Sequence, residues 1–250
     1  MKLTILGCGT SGGVPKLPEH WGACDPKNPK NRRRRASILV EEEGATVVID
    51  TTPDFREQML AANVSKLDAV FYTHDHADHV HGIDDLRGYY QQSREKLPVY
   101  ADAETLSLLQ HRFDYIFKSQ AGYPAMCTGH KISGPVNVGP LKMIPFEQGH
   151  GSGISLGFRF GDMAYSTDLN RLPESAFDIL DGVKVWVVDA LRYDPHPTHS
   201  HLKQTLEWIE RLKPDCAILT HMTWDMDYQT LVNNLPQGVE PAFDGMVIEL

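Results

Sequence analysis

The stretch "YTHDHADHVHGIDD" at 72–85 sets His74, His76, His79 and His81 among four aspartates, directly after the apolar run "DAVFY". Neutral imidazoles and carboxylates are ligands for divalent transition metals. His74 and His76 stand two apart where a strand ends, so both rings can turn to one ion. Asp78 and His79 follow where a helix would begin and offer a second set beside the first. A titratable surface run or a hydrogen-bonded cap is the plainer reading of clustered histidines, but HxHxDH immediately after a buried strand is too specific for it. His81 is spare, and Asp75, Asp84 and Asp85 read as support, helix capping or surface.

Strand-like runs elsewhere end in residues of the same kind: "VVID" at Asp50, "MAYSTD" at Asp168, "WVVDA" at Asp189 and "AILTH" at His221. In open α/β sheets, ligands gather beyond the strand ends, where loops converge on one crevice. A stack of polar strand ends therefore predicts a shared site.

Three further segments carry chemistry-bearing residues. "ILGCGTSGGVPKLP" at 5–18 contains GxGxxG after a strand, but Pro15 and Pro18 follow at once and no helix can begin there. A nucleotide-binding turn also needs that helix, so the segment reads as a glycine turn at the edge of the site. "NRRRRAS", Arg32 to Arg35, is either a solvated loop or local positive charge for an anionic substrate. Arg35 and Arg87 are candidate phosphate contacts, since guanidinium presents paired donors to phosphate oxygens, or else salt-bridged surface residues. In "DPHPTHSHLKQTLEWI", His196, His199 and His201 precede a predicted helix, with His196 and His201 expected to cap it or lie at the surface. Trp21, Tyr89, Tyr90, Tyr193 and Trp224 would wall a pocket or belong to the core.

The elements that must position these groups read as many strands with fewer helices. Strands are expected at "KLTIL", "SILVEE", "ATVVID", "DAVFYT", "LPVYA", "LKMIPF", "SLGFRFG", "MAYSTD", "VKVWVVDA", "DCAILTH" and "GMVIEL". Helices are expected at 53–62, with Pro53 in the first helical position, and at 102–113, 173–181 and 201–212. Residues 114–140 lose periodicity and read as an inserted loop beside the site.

At 250 residues the chain suits one domain, 1–250, with a core large enough to need no staples. Its four cysteines share no CxxC spacing, so reduced thiols and a cytoplasmic location are expected. No run approaches the ~20 apolar residues of a membrane helix. The net charge of −9 disfavours broad binding to nucleic acid. A homodimer is compatible with the sequence.

"THDHADH" resembles the signature of the metallo-β-lactamase superfamily, which implies an α/β fold, the four-layer αββα sandwich, with metals in a cleft along one edge. The resemblance implies three more ligands, and the chain offers His150 in "EQGHGSG", Asp168 in "YSTD" and His221 in "LTH". By that pattern His74, His76 and His150 hold one ion, Asp78, His79 and His221 the other, and Asp168 bridges them. Two divalent ions, Zn²⁺ or Mn²⁺ above all, are the implied cofactors. Together with "NRRRRASILVEE", "VVIDTTPDFREQM" and "HVHGIDDLRGY", the glycine turn resembles the branch of phosphodiesterases related to the phosphoribosyl cyclic phosphate phosphodiesterase of phosphonate breakdown (PhnP). The implied reaction is hydrolysis of a small cyclic or nucleotide-like phosphodiester by a metal-bridging hydroxide, with Asp78 and His199 as catalytic residues. His199 would lie over the phosphate and protonate the leaving alkoxide. Asp50 resembles a carboxylate that supports the metal loop by hydrogen bonds.

One departure stands out. Several members of that branch carry CxCxxC for a structural zinc before the arginine run, whereas "WGACDPKNPKNRRRR" offers Cys24 alone, so packing or prolines must hold this loop. The rival readings are a tRNA 3′-end endonuclease, another hydrolase of the same fold, and a di-metal redox module without hydrolysis.

Overall fold

The computed structural model describes residues 1–120 and 122–250. Among these residues two seven-stranded sheets face each other. The first half of the chain supplies β1 (Lys2–Gly7), β2 (Ser37–Glu42), β3 (Ala45–Ile49), β4 (Ala69–Phe71), β5 (Leu97–Ala101) and β6 (Cys127–Lys131). The second half supplies β7 (Val136–Val138), β8 (Leu141–His150), β9 (Gly153–Phe160), β10 (Met163–Ser166), β11 (Val185–Asp189), β12 (Cys216–Thr220) and β13 (Val239–Pro241). The last strand, β14 (Val247–Glu249), crosses back to pair with β1. There the Met1 ammonium donates to the Leu250 carbonyl at 2.9 Å.

Helices cover the outer faces. The first sheet carries α1 (Phe55–Ala61), α2 (Ala77–Val80), α3 (Arg87–Ser93), α4 (Ala103–Arg112) and α5 (Asp114–Phe117). The second carries α6 (Glu174–Leu180), α7 (Leu202–Leu212) and α8 (Tyr228–Asn234). The result is the αββα sandwich. Its strands read as unbroken apolar runs because both faces are buried. In β3, Val47 and Ile49 join Phe71, Phe158 and Tyr165 between the sheets, while Val48 packs with Phe55, Met59 and Leu109 beneath the helices. On α7, Leu202, Leu206, Ile209 and Leu212 recur at helical spacing and pack on the second sheet. Asp102 caps α4, its Oδ1 accepting from the N–H groups of Glu104 and Thr105.

Strand direction places the site. β3, β4, β5 and β6 are mutually parallel, as are β10, β11, β12 and β13. Because β9 is antiparallel to both β8 and β10, β8 runs the same way as β10. Parallel neighbours need helical crossovers, which form the outer layers and leave the carboxyl ends of the strands along one edge.

Two expectations are corrected. Residues 114–140, of which 121 lies outside the described residues, are not one inserted loop: they contain α5, β6 and β7 and carry the chain from one sheet to the other. These strands lie at sheet edges, which explains their weak apolar pattern. The first helix begins at Phe55 behind Asp54, so Pro53 precedes it rather than opening it.

Candidate metal centre

The local fold aims each ligand. His74 follows β4, and its Nδ1 lies 2.9 Å from Thr73 Oγ1, which itself donates to Asp50 Oδ2 at 2.8 Å. That relay assigns the proton to Nδ1 and leaves Nε2 as a free acceptor. His79, in the single turn of α2, donates from Nδ1 to Asp50 Oδ2 at 2.7 Å, which turns its Nε2 inward. His150 ends β8 and donates from Nδ1 to the Thr198 carbonyl at 2.8 Å, and its Nε2 stands 3.3 Å from His76 Nδ1. Hydrogen bonds of this kind fix the tautomer and orientation of ligating imidazoles. Asp50, fully buried, accepts from the Thr73 N–H, the Thr73 hydroxyl and His79 together, and so anchors the whole turn.

Asp168 joins the two sets. Its Oδ1 faces His74 Nε2 at 3.8 Å and His150 Nε2 at 4.0 Å. Its Oδ2 faces His79 Nε2 at 3.1 Å and His221 Nε2 at 3.5 Å. Asp78 Oδ2 completes the second group, 3.3 Å from His79 Nε2 and 3.7 Å from His221 Nε2. The ligand atoms of His74, His76, His150 and Asp168 lie within 4.8 Å of one another, and so do those of Asp78, His79, Asp168 and His221. The Nε2 atoms of His74, His79 and His221 are buried and have no hydrogen-bond partner. Buried polar atoms without partners are costly, and here they converge with carboxylate oxygens. These residues fit two divalent ions.

The electrostatics agree with that fit. Burial, then the neighbouring His79, holds His74 well below the ordinary imidazole value, and burial lowers His150. Burial opposes charge on His79 and His221, but the carboxylates prevail: Asp168, Asp78 and Asp50 hold His79 well above its ordinary value, and Asp168 and Asp78 bring His221 up to about 9. Burial likewise opposes ionisation of Asp78 and Asp168, yet the histidines keep both carboxyls below the usual range. Protons on His79 and His221 thus occupy the atoms a cation would take, and metal binding would release them.

Strained backbone recurs at these strand ends. Asp50, Asp168 and His221 have φ of 66°, 55° and 56°, in the left-handed region disfavoured for residues with a Cβ. Such conformations persist where surrounding contacts over-determine them. Thr167 Oγ1 donates to Asp168 Oδ2 and Ser155 Oγ donates to the Asp168 carbonyl, both at 2.7 Å.

Around the ligands lies a cleft of about 290 Å³, lined in part by His74, His76, His150, Asp102, Glu104 and Ser152. His199 stands beside it, its ring stacked on His221 with 4.9 Å between centroids and 5.2 Å from His196. Its Nδ1 donates to Asp189 Oδ2 at 3.0 Å, so Nε2 is left for other work. The sequence marked Asp189 as a metal-capable strand end and did not reveal this pairing. His196 accepts from the Thr198 N–H, and His201 precedes α7 without a side-chain capping bond.

The structure does not bring both expected phosphate contacts to the cluster. Arg87 pairs with Asp84 at 2.7 Å and lines a separate groove between α1 and α3. Arg35 is held by Asp54 at 2.9 Å and by the Ser11 carbonyl. The arginine run is not a solvated loop: Arg33 is buried, Arg34 pairs with Asp244, and Arg32 lies over Trp21. Nor do prolines alone hold the loop around Cys24. Arg33 Nη1 donates to the Cys24 sulfur at 3.8 Å, and Asn31 Nδ2 donates to the Asp25 carbonyl and to Asp227. The glycine turn does sit at the edge of the site, where Thr10 N–H donates to the Met222 carbonyl beside His221. A Cβ at Gly7 would stand 2.1 Å from the Arg35 carbonyl oxygen, so only glycine lets these segments meet.

Residues 45–222 match the family described as the beta-lactamase superfamily domain. A crystal structure of a diphosphatase from the PhnP family superposes with a TM-score of 0.93 at 38% identity, covering 100% of this chain and 97% of that one. Zn²⁺-bound PqqB from Methylobacterium extorquens superposes with a TM-score of 0.80 at 17% identity over the full length of both chains, a likeness of fold. An octanoyltransferase from Porphyromonas gingivalis is 32% identical over 98% of this chain and 51% of its own length. The chain spans about half the length of the curated relatives it matches.

Proposed function

The chain belongs to the metallo-β-lactamase superfamily, and from this premise we propose that it is a hydrolase, a binuclear metal-dependent phosphodiesterase acting on a small phosphodiester. The observation that carries the reading is Asp168, whose Oδ1 faces His74 Nε2 and His150 Nε2 and whose Oδ2 faces His79 Nε2 and His221 Nε2, the nitrogens of His74, His79 and His221 being buried without a hydrogen-bond partner. The likeness to a PhnP-family diphosphatase supports hydrolysis at phosphorus over the other hydrolyses of the fold. A substrate small enough for a cleft of about 290 Å³ suits a cyclic or nucleotide-like compound better than a folded RNA, and the net charge of −9 points the same way.

His74, His76, His150 and Asp168 would hold one ion, and Asp78, His79, His221 and Asp168 the other, Zn²⁺ or Mn²⁺ by donor type. Two such ions, when bound, lower the pKa of water and neutralise charge on phosphoryl oxygens. The chain's own residues do the rest. Asp50 and Thr73 lock the His74 and His79 rings with their Nε2 atoms inward. Asp189 accepts from Nδ1–H and so orients His199, whose imidazolium form, paired with that carboxylate, would give its Nε2 proton to the departing alkoxide and be left as the neutral ring. The octanoyltransferase is about twice as long as this chain, and its name is said of that whole protein.

The test is turnover of a panel of cyclic and linear phosphodiesters, with metal analysis of the same preparation. We expect two transition-metal ions per chain and phosphodiester hydrolysis that His76→Ala abolishes. Metal-free protein, or unchanged turnover in that variant, would sink the proposal.

A further inference from the structure

Arg33 lies between the glycine turn and β2, with only 2% of its surface exposed. Among the described residues its guanidinium meets no carboxylate at ion-pair distance. Nη1 donates to the Thr223 carbonyl at 3.0 Å and to Cys24 Sγ, and Nη2 donates to the Met226 carbonyl at 2.5 Å. Its Nε is buried without a partner. A cation removed from water and given only neutral partners is costly. The position invites a reason beyond packing.

That reason lies one turn away. Thr223 and Met226 belong to the loop that follows His221, a metal-ligand candidate with φ of 56°. The same loop is gripped along its length. Met222 N–H donates to the Cys8 carbonyl at 2.9 Å, and Ala23 N–H donates to the Trp224 carbonyl at 3.0 Å. Asn31 Nδ2 donates to Asp227 Oδ1 at 2.7 Å, and Tyr228 N–H donates to Asn31 Oδ1 at 2.8 Å. Gly22 presses so closely that a Cβ there would lie 2.3 Å from Trp224 Cδ1. Arg33 is the side chain that ties both ends of the turn, at Thr223 and Met226, to the amino-terminal loop. By contrast, His74 and His150 are fixed through Thr73 and Thr198, neither of which Arg33 touches.

We propose that Arg33 is a positioning residue for one ion of the pair, the one assigned to Asp78, His79, His221 and Asp168. It acts by holding His221 in its strained conformation. The inference rests on the binuclear reading above. Loss of a group that orients a metal ligand costs about 10–100-fold in metal affinity, and here that loss falls on one site of two.

The test strips the protein of metal and titrates it with Zn²⁺, following stoichiometry by elemental analysis and affinity by calorimetry. Wild type is expected to bind two ions. Arg33→Met is expected to keep one at the parent affinity and bind the other about 10–100-fold more weakly. Arg33→Lys, which can still reach one carbonyl, should recover part of that loss, and it carries the test if the methionine variant does not fold. Combining either variant with His76→Ala should leave no tight site. Arg34→Gln breaks a different pair in the same run and should retain both ions. Two ions at parental affinity in both Arg33 variants would overturn the inference alone, and so would equal weakening at both sites, the mark of a general structural role. A wild type that binds one ion or none would overturn the binuclear reading and this inference with it.

Discussion

His199 and His221 lie ring on ring, only 10° from parallel, yet their hydrogen bonds separate them. Asp189 takes the Nδ1 proton of His199, while Asp168 and Asp78 face His221 Nε2. A proton donor to the leaving group matters in proportion to how poorly that group leaves. His199→Ala should therefore lower kcat about 10²–10⁴-fold on alkyl phosphodiesters and far less on a nitrophenyl ester, with bound metal unchanged. Equal losses on both esters would contradict the assignment. His221 gives a second expectation, for the metal-free protein. Burial works against its charge, but Asp168 and Asp78 bring its value from 6.5 up to about 9. A raised folded value means the stabilisation is complete below pH 6.5 and lost as pH climbs through 9. The melting temperature of the metal-free form should fall over that window, and zinc, having displaced the proton, should remove the fall. A flat profile in scanning fluorimetry would refute it. Of the seven ligand candidates, His74, His76, Asp78 and His79 were legible from one motif and Asp168 and His221 from strand ends, whereas His150 came through the family resemblance alone. Asp189 as the partner of His199, only ten residues on, was not legible because the pairing follows no spacing rule, and Arg33 as the partner of Thr223 and Met226 was not because those contacts join segments far apart in the chain.

Elements set the precision with which those residues meet. α2 has a single turn, so its hold on His79 depends on the residues just beyond its end. Gly82 N–H donates to the Thr51 carbonyl at 2.9 Å, and a Cβ at this position would lie 2.0 Å from the Thr52 oxygen and 2.6 Å from Phe55 Cβ. Gly82→Ala must push α2 away from the Asp50 turn. We expect a loss of about 1–3 kcal/mol in urea unfolding, the usual cost of overpacking, and weaker zinc binding. A variant as stable as wild type would show that the turn yields. Eleven strands were readable, most of them because their apolar residues continue across both buried faces, and the exposed edge strand β14 from the run "MVIEL". β6 "CTGHK", β7 "VNV" and β13 "VEP" were not, because each is short and lies at a sheet edge where polar residues and proline are tolerated. The helices at 102–113, 173–181 and 201–212 were legible from caps and spacing. A helix start was legible at Asp78 and His79, where α2 lies, while α3, α5 and α8 lay in segments whose spacing did not declare them.

On the scale of the whole molecule, the centre is a joint between two sheets. His74, His76, Asp78 and His79 come from the half that builds the first sheet, and His150, Asp168 and His221 from the half that builds the second. A ligand that binds only the folded state stabilises it by mass action, about 2.7 kcal/mol at a hundredfold excess over Kd. Chelation should accordingly lower the melting temperature of the whole domain in one cooperative step, and zinc or manganese should restore it. A chelator that leaves the transition in place would show that the sheets hold together without the ions. At this scale the two rounds of strand and helix argued for sheet layers and the family resemblance implied the αββα sandwich, whereas the return of β14 to β1 required the structure. That return also brings the two chain ends together. With the Met1 ammonium bonded to the Leu250 carbonyl, the backbone is topologically close to a ring. A short peptide joining these ends would allow a circular permutant, opened at an outer loop far from the cleft, to bring the same strand ends together.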